Sequence, residues 1–251
     1  MSISRKYFDK TARGEEVTQY TLTNHKGASV SVIDFGGIVT SIVVPDRDGK
    51  LADVNLGFDV VDTYDGKGGC MGALIGRVGN RIGGAAFDLE GRHYVLGKND
   101  GENNLHGGPE GFSQRMWKVE PIEGKDSDTL RLTLTSPDGD QGFPGKLDVT
   151  VDYTWNDACE LGIHYMAVTD KPTLCNMTNH AYFNLDGHDA GTVENLTLQI
   201  NADCVTEADP ALIPTGRLLP QKGLAYDFTE EIRLGDVLAR TPVDPVMRDA
   251  G

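Results

Sequence analysis

The sequence predicts an all-β protein, built as a large antiparallel β-sandwich or barrel. Short runs rich in β-branched and aromatic residues follow one another at intervals of roughly ten residues, separated by turn signals such as Asp48-Gly49. Helical periodicity is weak throughout, and residues 230–239 (EEIRLGDVLA) are the best short helical candidate. The 31 glycines fit this architecture, because tight turns and close backbone approaches use them.

The predicted strands are the apolar or alternating runs between these turn signals. In chain order they cover residues 17–24, 28–36, 37–46, 51–58, 85–97, 129–136, 147–155, 160–168, 173–185 and 194–202. No repeat of 20–50 residues and no low-complexity linker interrupts them. We therefore predict a single domain over residues 1–251.

Composition excludes several classes of partner. The chain has 38 acidic and 23 basic residues, a formal charge of −15, whereas nucleic-acid and anionic-membrane surfaces require clustered Lys and Arg. The four scattered cysteines lack metal-ligand spacing and are predicted to be reduced thiols. No apolar leader or membrane-spanning run is present, so we expect a cytoplasmic protein with no metal, nucleic acid or membrane partner.

The segment TLCNMTNHAYFNL, residues 173–185, has an unusual alternation for a strand. One face is predicted to enter the core and is interrupted only by Asn179; it consists of Cys175, Met177, Ala181, Phe183 and Leu185. The other face is polar but uncharged; it consists of Asn176, Thr178, His180, Tyr182 and Asn184. A row of neutral hydrogen-bonding groups around one imidazole suits a ligand made of hydroxyl groups.

Two glycine-rich loops supply further polar candidates. Residues 65–84 end in Gly-Arg-Val-Gly-Asn-Arg, and residues 103–108 read Asn-Asn-Leu-His-Gly-Gly. The first loop does not fit a dinucleotide-binding fingerprint, because Met71 stands where the final glycine is required. Taken singly, an Arg in a loop is more often an ion-pair residue, and a lone His is more often a hydrogen-bonded part of the scaffold.

Five segments stand out in order along the chain: GRVGNRIGG, NNLHGGPEGFSQRMW, SPDGDQGFPG, NMTNHAYFNLDG and NADCVTEADPALIPTG. Together they resemble one family, the aldose 1-epimerases (galactose mutarotases). The resemblance runs from about Tyr20 to the end of the sequence. It implies a large antiparallel β-sandwich of the galactose mutarotase type (a supersandwich) with an open cleft, and interconversion of the α and β anomers of aldohexoses such as galactose and glucose.

The resemblance also implies roles for particular residues. Asn80 and Arg81 match the family's sugar-binding pair, His106 matches a histidine that contacts the substrate, and His180 matches the general acid, with Tyr182 beside it. We therefore predict His180 and His106 as catalytic residues, and all five as sugar-binding residues. An acid must protonate the ring oxygen while a base removes the anomeric proton, and imidazole suits the acid role because its unperturbed pKa is about 6.5. No metal or organic cofactor is needed.

The family pattern continues beyond the last residue of this sequence, into Gly-[Tyr/Phe]-Asp-His-Asn-Phe and a later general-base Glu. We therefore expect a sandwich truncated at its C-terminus and a base beyond residue 251, and we nominate no base here. One alternative is a non-catalytic carbohydrate-binding protein of the same fold. Another is an epimerase of sugar phosphates, which would need further basic residues at the cleft. The preferred aldose and the choice between monomer and homodimer stay open.

Overall fold

A computed structural model describes residues 1–65 and 69–240. Its first sheet holds five antiparallel strands in sequence order, and each neighbour is reached through a short turn, as the Gly and Asp signals predict. The strands are β1 (Ser2–Lys10), β2 (Glu16–Thr23), β3 (Ser29–Ile33), β4 (Val39–Pro45) and β5 (Leu51–Asp53).

Short elements follow the first sheet. The helix α1 spans Val61–Tyr64, and three 3₁₀ turns cover Gly83–Ala85, Phe112–Gln114 and Asp140–Gly142. The strands here are β6 (Leu74–Ile75), β7 (Arg81–Ile82), β8 (Ala86–Leu89), β9 (Arg92–Val95) and β10 (Asn104–Leu105). β8 pairs with β9, and β7 pairs with β10.

The second sheet contains four longer antiparallel strands, again in sequence order. They are β11 (Lys118–Ile122), β12 (Ser127–Ser136), β13 (Leu147–Asn156) and β14 (Leu161–Thr169). β13 alternates strictly between buried and partly exposed or exposed residues, which is the signature of a sheet with one face in the core. Its buried residues are Leu147, Val149, Val151, Tyr153 and Trp155.

The two sheets share one apolar core. Leu22 and Val32 of the first sheet and Leu132 and Val151 of the second belong to the same cluster, and all four are fully buried. Burial of each such side chain contributes about 1.5–3 kcal/mol. The predicted all-β sandwich is therefore confirmed.

The segment 173–185 differs from its predicted form, because only β15 (Thr178–Asn179) is a regular strand, paired with β6. The rest bonds to several short stretches in turn, with bridges to Val78 and Asn55. No continuous sheet face exists to bury alternate side chains, so the predicted core positions of Cys175 (exposed), Phe183 (50% exposed) and Leu185 (68% exposed) are wrong.

Residue contacts divide the chain into a unit of Met1–Phe183 and a second unit that begins at Asn184. The described strands of the second unit are β16 (Thr197–Leu198), β17 (Cys204–Ala208), β18 (Pro214–Pro220) and β19 (Ile232–Arg233). Its helix α2 (Leu234–Leu238) falls inside the predicted helical stretch 230–239, although β19 takes up part of that stretch. A single domain over 1–251 stays a prediction. Among the residues described, no helix has the length and apolar character needed to cross a bilayer.

Candidate active site

An open pocket of about 420 Å³ lies in the first unit. It collects polar residues from the two glycine-rich loops and from the segment 173–185: Gly79, Asn80, Arg81, His106, Asn176, Thr178 and His180. Four of the five predicted site residues thus line one pocket. The fifth, Tyr182, is about half exposed, and the centre of its ring lies 5.2 Å from that of His180.

The ladder between β7 and β10 brings the two loops together. Leu105 pairs with Arg81, and one residue further along His106 donates its backbone N–H to the carbonyl of Asn80 over 3.1 Å. The backbone N–H of Asn80 in turn donates to Nδ1 of His106 over 3.0 Å. Both Asn80 (φ 62°) and His106 (φ 55°) are in the left-handed region, which only a minority of non-glycine residues adopt. The ladder therefore fixes the two residues against each other at the pocket.

Gly107 permits the close approach on which this arrangement depends. Its φ is +89°, and a Cβ built there would lie 1.9 Å from the carbonyl oxygen of Gly76. No other residue type fits at that distance, because the atoms would overlap. The Leu-His-Gly-Gly motif thus needs this glycine to seat His106 against the first loop.

His106 is a neutral imidazole near pH 7. Burial, and after it electrostatic interaction with His180 and Arg81, lower the pKa of His106 to about 4, against an opposing effect of Asp100. Because Nδ1 accepts the N–H of Asn80, the ring proton is on Nε2. His106 therefore presents a neutral N–H donor to a ligand.

The guanidinium of Arg81 is hydrogen-bonded to the carboxylate of Asp100. Its Nε donates to Oδ2 of Asp100 over 2.7 Å, and one terminal nitrogen donates to Oδ1 of Asn80 over 3.3 Å. The Arg81 side chain is 20% exposed. A guanidinium carries five N–H donors in a fixed plane, so it can hold Asp100 and still donate to hydroxyl oxygens in the pocket.

The backbone of His180 is bonded on both sides to the short β6 region. Its N–H donates to the carbonyl of Ala73, and its carbonyl accepts the N–H of Gly72, each over 2.9 Å. The imidazole lies edge-on to that of His106, with ring centres 5.1 Å apart and planes at 84°. Two imidazoles from distant parts of the chain thus face one small volume.

Arg77 is a residue whose role the sequence did not reveal. It is only 2% exposed, and burial lowers the pKa of its guanidinium, although the negative charge of Asp140 opposes this. Its guanidinium donates to oxygens of the 136–145 region and to Oγ1 of Thr173 (3.1 Å), which opens the segment that carries His180. The other acceptors are Ser136 Oγ and the carbonyls of Ser136, Pro137, Pro144 and Gly145. Most are backbone carbonyls, which carry no sequence signal.

The donor set of the pocket suits a neutral polyhydroxylated ligand. Its amide groups, hydroxyl and neutral imidazoles can donate to or accept from hydroxyl groups, and its guanidinium can donate to them. Within residues 1–65 and 69–240, no three His, Cys, Asp or Glu residues lie close enough to form a metal site. The side chains that line the pocket can form hydrogen bonds, and its imidazoles can exchange protons.

The chain matches known proteins over nearly its whole length. The family model for aldose 1-epimerase matches residues 18–246. Galactose mutarotase of Sus scrofa is 36% identical over 235 residues, which are 94% of this chain and 67% of the relative. Aldose 1-epimerase of Escherichia coli K12 is 40% identical over 215 residues, which are 86% of this chain and 61% of the relative.

A solved structure shows the same fold. Galactose 1-epimerase from Lactobacillus acidophilus NCFM superimposes with a TM-score of 0.83 at 28% identity, over 94% of this chain and 68% of that one. The sandwich is thus of the galactose mutarotase type, as predicted. The chain spans about two thirds of the length of these relatives. On these matches, the chain belongs to the aldose 1-epimerase family of isomerases.

Proposed function

We propose that this protein is an aldose 1-epimerase that interconverts the α and β anomers of aldohexoses such as galactose and glucose. The observation that carries the proposal is the pair of imidazoles, His106 and His180, with ring centres 5.1 Å apart in a pocket that Arg81 also lines. Relatives that are 36–40% identical to this chain over the aligned residues are named galactose mutarotase and aldose 1-epimerase.

The reaction needs an acid at the ring oxygen. In our proposal His180 gives a proton to that oxygen as the C1–O5 bond breaks, and the hydroxyl at C1 gives its proton to a water molecule in the open pocket as the aldehyde forms. Rotation about the C1–C2 bond and the reverse transfers then close the other anomer. The proton count balances over the cycle, and no redox change occurs.

The neighbouring side chains would hold the sugar during this transfer. His106 is neutral and would donate Nε2–H to a sugar oxygen, while Arg81 and Asn80 would bind ring hydroxyls. Tyr182, whose ring is 5.2 Å from that of His180, would border the same sugar face. Fixed donors of this kind lower the barrier by orienting the sugar against the acid.

A second candidate function is non-catalytic carbohydrate binding. It is favoured by one observation: among the described residues that line the pocket, none is a carboxylate that could take the anomeric proton. Asp100 is nearby, but it is engaged by Arg81. The two candidates differ only in whether the bound sugar changes anomer.

Polarimetry on freshly dissolved α-galactose or α-glucose tests the proposal. We expect the protein to accelerate the approach to anomeric equilibrium, with the same rate in the presence of a chelator. A rate equal to that of buffer, together with measurable galactose binding, would support the binding module instead. We also propose a cytoplasmic location, which the four unpaired cysteines favour because reducing compartments maintain free thiols.

A further inference from the structure

Asn179 interrupts the predicted core face immediately before His180, and both polar atoms of its side chain form hydrogen bonds. Nδ2 donates to the carbonyl of Gly72 over 2.8 Å and to the hydroxyl of Tyr153 over 3.1 Å. Oδ1 accepts the backbone N–H of Ala181 over 2.9 Å. The amide group thus connects Ala181, which follows His180, to Gly72. The N–H of Gly72 in turn donates to the carbonyl of His180.

Tyr153 determines the orientation of the Asn179 side-chain amide. Its hydroxyl donates to the carbonyl of Gly37 over 2.9 Å, so its single proton is used there and the oxygen must accept from Asn179. The side chain is fully buried, and burial raises the pKa of Tyr153, so the phenol keeps its proton at physiological pH. The direction of both hydrogen bonds is therefore determined.

The other end of this chain of bonds is the rigid core. Tyr153 lies within β13, where it pairs with Leu130 of β12 and Ile163 of β14. Gly37 packs so tightly that a Cβ there would lie 2.4 Å from the side chain of Leu74 in β6, the strand that pairs with β15. Through the side chains of Tyr153 and Asn179, β13 is thus connected to the backbone beside His180.

We propose that Tyr153 and Asn179 are a positioning pair that fixes the imidazole of His180 in the pocket. β15 is only two residues long, and beyond it the backbone of His180 is held by single hydrogen bonds to Ala73 and Gly72. The pair adds a side-chain constraint, because Asn179 cannot rotate without breaking its hydrogen bonds to Gly72, Tyr153 and Ala181. Neither residue lines the pocket.

The alternative is that the pair serves stability alone, and matched variants separate the two roles. Tyr153→Phe removes one oxygen and keeps the ring that fills the core. Asn179→Asp keeps the acceptor for Ala181 and replaces the Nδ2 donor by an oxygen. The control is Trp155→Phe, two residues along the same buried face of β13, which removes the N–H that donates to the carbonyl of Ala28 (3.2 Å), away from the pocket.

The first readout is the NMR spectrum of the His180 imidazole in the sugar-free protein, assigned by its loss in His180→Asn. It does not depend on the proposed function. We expect the ring resonances of His180 to shift or broaden in Tyr153→Phe and Asn179→Asp, and to stay unchanged in Trp155→Phe, although all three lower the melting temperature. Unchanged His180 resonances in both of the first two variants would overturn the positioning role, whether or not the protein is an epimerase.

The second readout, anomerisation rate, rests on the proposed function. Well below the melting temperature, kcat should fall about tenfold in Tyr153→Phe, because small misplacements of a reacting group are costly. KM should change by less than about twofold, because the groups that bind hydroxyls are untouched. An equal kcat in Tyr153→Phe and Trp155→Phe would contradict the inference. A wild-type protein without activity would instead reject the proposed function and leave the NMR comparison to decide the positioning role.

Discussion

Asn80 and His106 are joined by two hydrogen bonds. The backbone N–H of Asn80 donates to Nδ1 of the His106 ring, and the backbone N–H of His106 donates to the carbonyl of Asn80. The first bond requires an unprotonated Nδ1. Protonation of the ring would place a proton against the N–H of Asn80, next to the charge of Arg81. The fold thus selects the neutral form of His106.

This preference predicts how stability depends on pH. The pKa of His106 is about 4 in the folded protein, against about 6.5 for unfolded chain. Between those values the unfolded state binds more protons, so the free energy of unfolding falls as the pH falls. Because the ring is only partly buried and solvent screens part of this effect, the residue should account for about 1 kcal/mol of the stability lost between pH 7 and pH 5.

Urea unfolding of wild type and His106→Gln at both pH values measures this contribution. Gln cannot titrate, so the variant should lose less stability on acidification, and the difference between the two proteins isolates His106. Equal losses in both would show that His106 titrates normally in the folded protein.

Gly107→Ala should disrupt the seat of His106. The new Cβ would overlap the carbonyl oxygen of Gly76, at 1.9 Å, in addition to the cost of a positive φ. The control is Gly14→Ala, which has a similar φ of +82° with no atom within 4 Å of the new Cβ. Gly14→Ala should lower the free energy of unfolding by about 1–2 kcal/mol. Gly107→Ala should lower it by more than this and should also weaken sugar binding. Similar melting temperatures for the two variants would argue against the close approach.

Arg77→Met should be among the most destabilising substitutions in the chain. It leaves the buried carbonyls of Ser136, Pro144 and Gly145 without this donor, and the expected cost is at least about 3 kcal/mol. Arg131→Met is the matched control, because Arg131 is 40% exposed and pairs with a carboxylate, that of Asp152, instead of with buried backbone carbonyls. Thermal denaturation should show a large loss only for Arg77→Met. Comparable losses would mean that Arg77 is not the anchor that its bonds indicate.

The sequence predicted the strands more accurately than the buried residues that hold the segments around the pocket. β2, β4 and β13 lie within a residue or two of their predicted ranges, because alternation and turn residues are local signals. The segment 173–185 carried the same alternation but has no long partner strand, and pairing is a non-local property. Arg77 and Tyr153 escaped detection for a related reason, since both bind backbone carbonyls far away in the chain.

Arg81→Ala should weaken sugar binding and turnover together, because its donors would hold the sugar in both the ground state and the transition state. Asp100→Asn, which keeps a polar partner for Nε but removes the charge, should have a smaller effect of the same kind. Titration calorimetry with galactose and polarimetry on the same preparations measure both. A loss of turnover with unchanged affinity would place Arg81 in the chemical step rather than in binding.

The most direct test of the central claim is the anomerisation rate of His180→Asn, measured by polarimetry per folded molecule beside wild type. Asn keeps a polar side chain but cannot transfer a proton usefully, so kcat should fall about 10²–10⁴-fold while sugar affinity changes little. His164→Asn, on the exposed face of β14, is the matched control and should keep full activity. A folded His180→Asn protein with wild-type kcat would contradict the assignment of His180 as the acid.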